Sequence, residues 1–441
     1  MRQRAPIPVE VAEVRDTTAD GKGVAVVDGK TVFIDGALRG EHVSFRRSRR
    51  RKNYDEALLV EIVRPATERV EPRCCYFGVC GGCSLQHLNS AAQLSLKQGT
   101  VMEALRRIGK LTPARELPPL QSKTFGYRRR GRLGAKYVTK KERVLVGFRE
   151  KQKPFIADMQ SCETLEPRLA QLIAPLSELI GSLSISGSVP QVEVSAGDTA
   201  VALVFRVLET PGEQDLQALR RFARRHRVGV WLQAGGPDTL SALPDTCPPE
   251  LAYRLAEYDL TLRYGPLDFV QVNQDVNRLM LRQALDLLQP QPGQHVLDLF
   301  CGIGNFSLPV ARAGAAVLGV EFSAEMVQRA RQNAVFNGIE GTEFVAADLQ
   351  QDPSTLPFLQ RRFDAVLLDP PRAGAREVLA AISATGAQRI VYVSCHPGSL
   401  ARDAGELVHE HGFTLQAAGA MDMFPQTGHV EAMALFERLK S

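Results

Sequence analysis

Three apolar runs in this chain end in groups that could do chemistry. Cys395 follows Val391-Tyr392-Val393-Ser394 and precedes His396-Pro397. Asp369 follows Ala365-Val366-Leu367-Leu368 and precedes Pro370-Pro371-Arg372. Gly302-Ile303-Gly304-Asn305 follows Val296-Leu297-Asp298-Leu299-Phe300. Parallel sheets place ligands outside the C-terminal ends of their strands. A glycine turn, a carboxylate fixed by two prolines and a thiol at three such ends suit a cofactor-dependent enzyme. Its target would be a carbon that needs covalent activation.

The glycine turn lets a polar or anionic cofactor group approach main-chain amides at a helix start. A dinucleotide fingerprint would want a third glycine, and Ser307 stands there. Glu321 closes the next apolar run, placed to accept both ribose hydroxyls, and Asp348 closes a third, within reach of an adenine amine. A glycine turn with two spaced carboxylates is the pattern that holds S-adenosylmethionine. The prolines after Asp369 fix the backbone beyond the strand and aim that carboxylate between cofactor and substrate. Enzymes that methylate exocyclic amines also carry such a stretch, but an amine already has a lone pair and needs no thiol.

A thiol is needed where the acceptor is an electron-poor carbon such as C5 of a uracil. Thiolate addition at C6 puts electron density on C5, which can then take a methyl group. A base removes the C5 proton and the thiol leaves. Candidate bases are Glu431 and His429 in Thr427-Gly428-His429-Val430-Glu431, with Glu431 preferred. Cys301, also in a turn, reads as an inert buried thiol.

A second cysteine group is Cys74-Cys75-Tyr76-Phe77-Gly78-Val79-Cys80-Gly81-Gly82-Cys83, a C-x5-C-x2-C pattern. Zinc would prefer paired C-x2-C units or histidines, and His87 keeps that reading open. Three close thiolates with one remote ligand suit an iron–sulfur cluster. Cys162 is the natural fourth ligand and Cys75 the competing one. Such a cluster could staple the basic segment 123–153 to the first half of the chain.

The elements that must position these groups fall into three parts. The chain has 441 residues, 44% hydrophobic and 23% charged, too long for one core. Residues 1–66 read as short strands with Asp28-Gly29 as a hairpin turn, a small oligonucleotide-binding type of β-barrel. Residues 67–262 hold the cysteines, an amphipathic stretch Ser90–Leu111 and mixed strands and helices, an α+β domain. In that stretch Leu94, Val101, Leu105 and Ile108 share one helical face, and it is expected to pack on the catalytic domain. Residues 263–441 alternate strand and helix, a doubly wound, Rossmann-like α/β domain.

Net charge is +5, yet residues 1–52 alone carry +5 and residues 123–153 carry +10, so the remainder is net negative. Two basic segments suggest a polyanion footprint. No apolar run reaches bilayer length, and Met1-Arg2-Gln3-Arg4-Ala5-Pro6 leads into no hydrophobic segment. A cytoplasmic, membrane-free protein is expected.

With these residues in view, the chain resembles the bacterial 23S ribosomal RNA uracil-C5 methyltransferases, most closely those acting on uracil-1939. The resemblance rests on Gly21-Lys22-Gly23-Val24-Ala25, Val32 through Glu41, the cysteine group and Ser90–Leu111. It continues through Phe269-Val270-Gln271-Val272-Asn273, the glycine turn, Asp369-Pro370-Pro371-Arg372 and Ser394-Cys395-His396-Pro397. It implies a TRAM-type barrel and a 4Fe-4S cluster on Cys74, Cys80, Cys83 and Cys162. It also implies S-adenosylmethionine contacts at Gln271, Phe300, Asn305, Glu321, Asp348 and Asp369. Cys395 would be the nucleophile, Glu431 the base, and Phe269 would pack on the target base. The implied substrate is 23S ribosomal RNA, with no obligate protein partner and a monomeric chain. The family usually shows asparagine after the nucleophile, where this chain has His396.

Relatives that modify transfer RNA share the catalytic motifs but typically lack the barrel, while a dual-site relative retaining it is a closer rival. A cytosine-C5 RNA methyltransferase would commonly place a second cysteine after the paired prolines, where Arg372 stands. An RNA-binding scaffold with a degenerate cofactor site is the non-enzymatic rival.

Overall fold

Short apolar runs separated by amphipathic stretches fold into a mainly parallel sheet in the C-terminal half of the computed structural model, which describes residues 8–438. The N-terminal stretch Met1 to Pro6 lies outside the described residues. The strands are β1 (His295–Leu299), β2 (Ala316–Glu321), β3 (Thr342–Ala346), β4 (Ala365–Leu368), β5 (Arg389–Ser394), β6 (Phe413–Met421) and β7 (Glu431–Arg438). Their order is β3-β2-β1-β4-β5-β7-β6. The first five run parallel, whereas β7 is antiparallel to both β5 and β6. Helices α1 (Gln274–Leu288), α2 (Ser307–Arg312), α3 (Ala324–Phe336), α4 (Arg376–Ala384) and α5 (Pro397–His409) cover the sheet.

Strand residues alternate between two cores because successive side chains point to opposite faces. Val296, Leu367, Val391 and Met433 meet α1 and α3 on one face. Leu297, Val366, Tyr392 and Phe436 meet α4 and α5 on the other. Chain order reverses about β1 and β4, so the crevice at their C-terminal ends is the ligand position of this architecture.

The helix Ser90–Ala104 lies on the second face, with Val101 and Leu105 in the same core. Leu94 is also buried, but Ile108 is 53% exposed, contrary to the single apolar face expected from sequence. Residues Leu105–Gly109 form a π-helical turn, whose i→i+5 bonding breaks the 3.6-residue spacing and takes Ile108 off the apolar face. Arg115–Glu116 then joins the catalytic sheet beside β6. The hairpin Leu251–Leu255 and Leu260–Tyr264 also packs in the first catalytic core. A boundary at 262/263 therefore cuts through a strand that belongs with the catalytic domain.

Residues 10–64 form a six-stranded sheet. Glu10–Glu13 pairs with His42–Arg50, and the following Asp16–Thr17 pairs with Lys22–Val27 at the opposite edge. One bent strand thus joins both edges and the sheet curls on itself, burying Val32, Ile34, Val43 and Phe45. Asp28 and Gly29 turn the hairpin with φ of 51° and 76°, a pair of left-handed residues suited to this two-residue turn. The basic run from Arg46 to Lys52, expected as part of a polyanion footprint, is strand as far as Arg50. Arg47 is paired with Glu10 and Asp55, while Arg46, Arg49 and Arg50 are exposed.

The central sheet comprises Arg130–Val138, Arg143–Gly147, Gln191–Ala196, Val201–Arg206, Gly229–Gln233 and Leu240–Ala242. Much of the basic character of 123–153 is neutralised internally. Arg129 pairs with Asp198, Arg130 and Arg132 with Glu193, Arg143 with Asp158, and Lys151 with Asp35 of the curled sheet. Among the described residues no helix is long and apolar enough to cross a membrane.

Candidate active site

The parallel strands deliver their last residues to one cavity of about 1190 Å³. Gln271, Phe300, Asn305, Glu321, Asp348, Asp369, Phe269, Cys395 and Glu431 all line it. Every residue singled out for catalysis, cofactor or base contact is therefore gathered at one crevice.

Its floor is the turn after β1. Phe300, Gly302 and Gly304 have φ of 66°, 55° and 91°, a left-handed path that glycine takes without steric cost. Glu321 accepts hydrogen bonds from the amides of Gly302 (3.2 Å) and Ser323 (3.0 Å), which tie the end of β2 to the turn. Ser307, in place of a third glycine, donates to Asp298 at 2.5 Å. Burial raises Asp298 to about 7.

Asn305 is held by groups that the motifs did not reveal. It exchanges two amide hydrogen bonds with Asn277 of α1 (2.9 and 3.1 Å), and its Oδ1 accepts from the Tyr253 hydroxyl at 2.9 Å. Polar residues on a buried helix face were the available signal. Cys301 is buried and its thiol is pushed well above the usual range by burial, yet it also touches the cavity wall.

The reactive end lies between β4, β5 and β7. Strand pairing aligns Ser394 with Ala432. Cys395 and Glu431, the first residue of β7, lie one residue beyond this pair, and both line the cavity. Burial first, then Asp369, raises the Glu431 carboxyl to about 8, with Arg372 and Lys97 opposing. Burial alone brings Asp369 to about 7. Burial, Glu431 and Asp369 raise the Cys395 thiol above its ordinary range, and Arg372 opposes them. The three acids cannot all ionise cheaply in one low-dielectric space.

Arg372 thus joins Lys97 as a cation of the reactive end, and the sequence signalled neither. Its guanidinium lies 3.1 Å from His429 Nδ1. His429 stacks on Phe424 at 5.3 Å, and burial followed by Arg372 keeps it below the usual histidine range. Phe269 is 68% exposed at the mouth, an uncovered aromatic face beside the reactive groups. His396 does not line the cavity. Its Nδ1 accepts from the Ser399 amide at 3.1 Å and caps α5. Asparagine is a strong N-cap, and histidine here supplies the same acceptor.

A second, small cavity is lined by Cys74, Cys80, Cys83 and Cys162, together with Arg128, Phe148 and Met159. Cys75 is exposed and His87 turns elsewhere; neither lines it. Both His87 ring nitrogens are buried without a hydrogen-bond partner, and burial takes its pKa down to about 4. Burial raises the Cys83 thiol to about 12 and lifts Cys74 and Cys80 as well. Among the described residues no three His, Cys, Asp or Glu side chains are gathered as for a single metal ion.

Comparison with known proteins is consistent across the chain. The tRNA (Uracil-5-)-methyltransferase family profile matches residues 250–439. A 23S rRNA (uracil(1939)-C(5))-methyltransferase RlmD of Alkalilimnicola ehrlichii is 49% identical over 99% of both chains. The protein of the same name from Methylococcus capsulatus is 48% identical over 99% of both. The crystal structure of Pyrococcus abyssi tRNA (uracil-54, C5)-methyltransferase with S-adenosyl-L-homocysteine superposes with a TM-score of 0.74 at 24% identity. That superposition covers 97% of this chain and 100% of the other, and it shows a shared fold.

Proposed function

The chain belongs to the 23S rRNA (uracil(1939)-C(5))-methyltransferase family, and we propose that it methylates C5 of uracil-1939 with Cys395 as nucleophile and Glu431 as base. The observation that carries this reading is the gathering of Cys395 and Glu431 in one cavity with the glycine turn and Glu321. A methyltransferase acting on an amine has no use for that thiol.

S-adenosylmethionine, when bound, supplies an electrophilic methyl group on a sulfonium. Glu321 would accept its ribose hydroxyls, Asp348 its adenine amine, and Gln271, Phe300, Asn305 and Asp369 would complete the contacts. Phe269 offers its exposed ring to the uracil, which must leave its stack to enter. Cys395 Sγ, as thiolate, bonds to C6, and the electron pair of the C5–C6 bond becomes available at C5. Once C5 carries the methyl group, the Glu431 carboxylate takes the C5 proton. The C5–H pair restores the double bond, the C6–S bond breaks, and its electrons return to sulfur. Arg372 offsets the negative charge that thiolate and carboxylate bring to this end.

The curled N-terminal sheet is read as a TRAM-type barrel of residues 1–66, with Arg46, Arg49 and Arg50 exposed toward RNA. The segment 67–262 is read as the domain that carries a 4Fe-4S cluster on Cys74, Cys80, Cys83 and Cys162. Four thiols around one cavity support that ligand set over one using Cys75. Buried thiols of raised pKa would ionise only with a cationic centre between them. The enzyme is taken to act in the cytoplasm as a monomer.

Cys395→Ala is expected to bind S-adenosylmethionine and RNA as the natural protein does and to transfer no methyl group. Full activity of that variant would end the covalent scheme.

A further inference from the structure

We propose that Lys97 and Gln93 are positioning residues for proton abstraction: from the helix Ser90–Ala104 they fix the segment 422–430 that delivers His429 and Glu431. The inference rests on the assignment of Glu431 as base.

Gln93 and Lys97 are four residues apart on one helix face, and each is only 1% exposed. Such a polar pair facing inward must be satisfied by specific partners. Lys97 Nζ lies 2.6 Å from Asp422 Oδ1 and donates to the Phe424 carbonyl at 2.9 Å. An acceptor-only carbonyl beside a carboxylate calls for an ammonium. Gln93 Oε1 accepts from the Gln426 amide at 3.0 Å, and its Nε2 donates to Gln426 Oε1 at 3.0 Å. Gln98 on the same helix accepts from the Ala420 amide at 2.8 Å.

The other side of this segment is braced as well. Ser84 and Leu85 amides donate to the Gln426 carbonyl, and the Tyr127 hydroxyl donates to the Pro425 carbonyl at 2.9 Å. Gln426 is held at φ 70°, an uncommon conformation for a residue with a side chain. A Cβ on Gly428 would meet the Ala19 carbonyl at 2.6 Å, so the barrel presses directly on this segment.

Stability alone does not account for the Lys97–Asp422 pair, since buried ion pairs are often replaceable by apolar residues without loss. What an apolar pair could not supply is positive charge behind the base. Burial and then Asp369 disfavour ionisation of Glu431, and Arg372 and Lys97 favour it; Cys395 and His429 share the cavity wall. Lys97 itself faces Asp422 and Glu431. The helix therefore both holds the segment in place and biases Glu431, which follows it, toward the ionised form that accepts a proton.

The test measures kcat against pH on a 23S rRNA fragment carrying uracil-1939, with covalent protein–RNA adduct followed on denaturing gels. In Lys97→Met/Asp422→Asn the acid limb of kcat should move up by about half a pH unit or more. Adduct should accumulate near neutral pH, while KM for S-adenosylmethionine stays within about two-fold. Lys97→Gln alone removes the charge while keeping a donor for the Phe424 carbonyl and should move the limb up as the double variant does, a readout that survives if the double variant does not fold. Unmoved limbs, or limbs that move in opposite directions in the two variants, overturn the proposal. Glu431→Gln is run alongside with Lys97 intact. If it turns over normally, the assignment of the base has failed, independently of the clamp.

Discussion

Cys395 and Glu431 line one cavity, each one residue beyond the antiparallel pair Ser394–Ala432 that joins β5 to β7. Cys395 follows the end of a parallel strand and Glu431 begins the strand beside it. Each is one step from that ladder pair, so neither can move far without disturbing the sheet. Their placement rests on main-chain pairing together with the braces on residues 422–430.

The raised Glu431 carboxyl has a consequence for stability. In the unfolded chain a glutamate ionises near its ordinary value of 4.5, whereas here it does so at about 8. The folded state thus holds its proton longer. This contribution is fully present below about pH 4 and is lost as pH rises through 8. Glu431→Gln should raise thermal stability at pH 9, by on the order of 1–2 kcal/mol after discounting for the part open to the cavity. The gain should vanish near pH 4. Melting curves across this range check it, and an equal effect at both ends would contradict the burial account.

His396 is expected to matter through helix α5. His396→Ala removes the acceptor for the Ser399 amide and should cost about 1 kcal/mol, while His396→Asn should keep the cap. Denaturant titration of the three proteins distinguishes them. A large loss of methyl transfer in His396→Asn would show a catalytic role that its place outside the cavity does not support.

Cluster assignment turns on Cys162 against Cys75. Protein purified without oxygen should carry about four irons and matching sulfide per chain. Cys162→Ser should lose most of that iron, and Cys75→Ser should keep it. Zinc in place of iron, or iron lost equally in both variants, would contradict the ligand set.

Much of the site was legible because parallel strands announce themselves as short apolar runs whose ends carry the chemistry. Asp369, Glu321 and Cys395 were found that way, and the two glycines because their backbone needs positive φ. The last two strands, Phe413–Met421 and Glu431–Arg438, carry no clear signal, so Glu431 is legible as a candidate acid but not as the first residue of a strand beside the thiol. Lys97 and Gln93 look like solvent-facing polar residues on an amphipathic helix. They are buried because a segment more than 320 residues later leaves main-chain groups that need partners. No local pattern carries that information. Asn277 and Tyr253, which hold Asn305, are hidden for the same reason. The π-turn that exposes Ile108 likewise has no signature in hydrophobic spacing.

The covalent bond itself gives the most direct test. Glu431→Gln, mixed with S-adenosylmethionine and the 23S rRNA fragment, should stop after methyl transfer with RNA still attached to protein. Peptide mass analysis after nuclease digestion should then find a methylated uridine nucleotide on Cys395. An adduct on any other residue, or free RNA carrying the finished methyl group, would contradict the account.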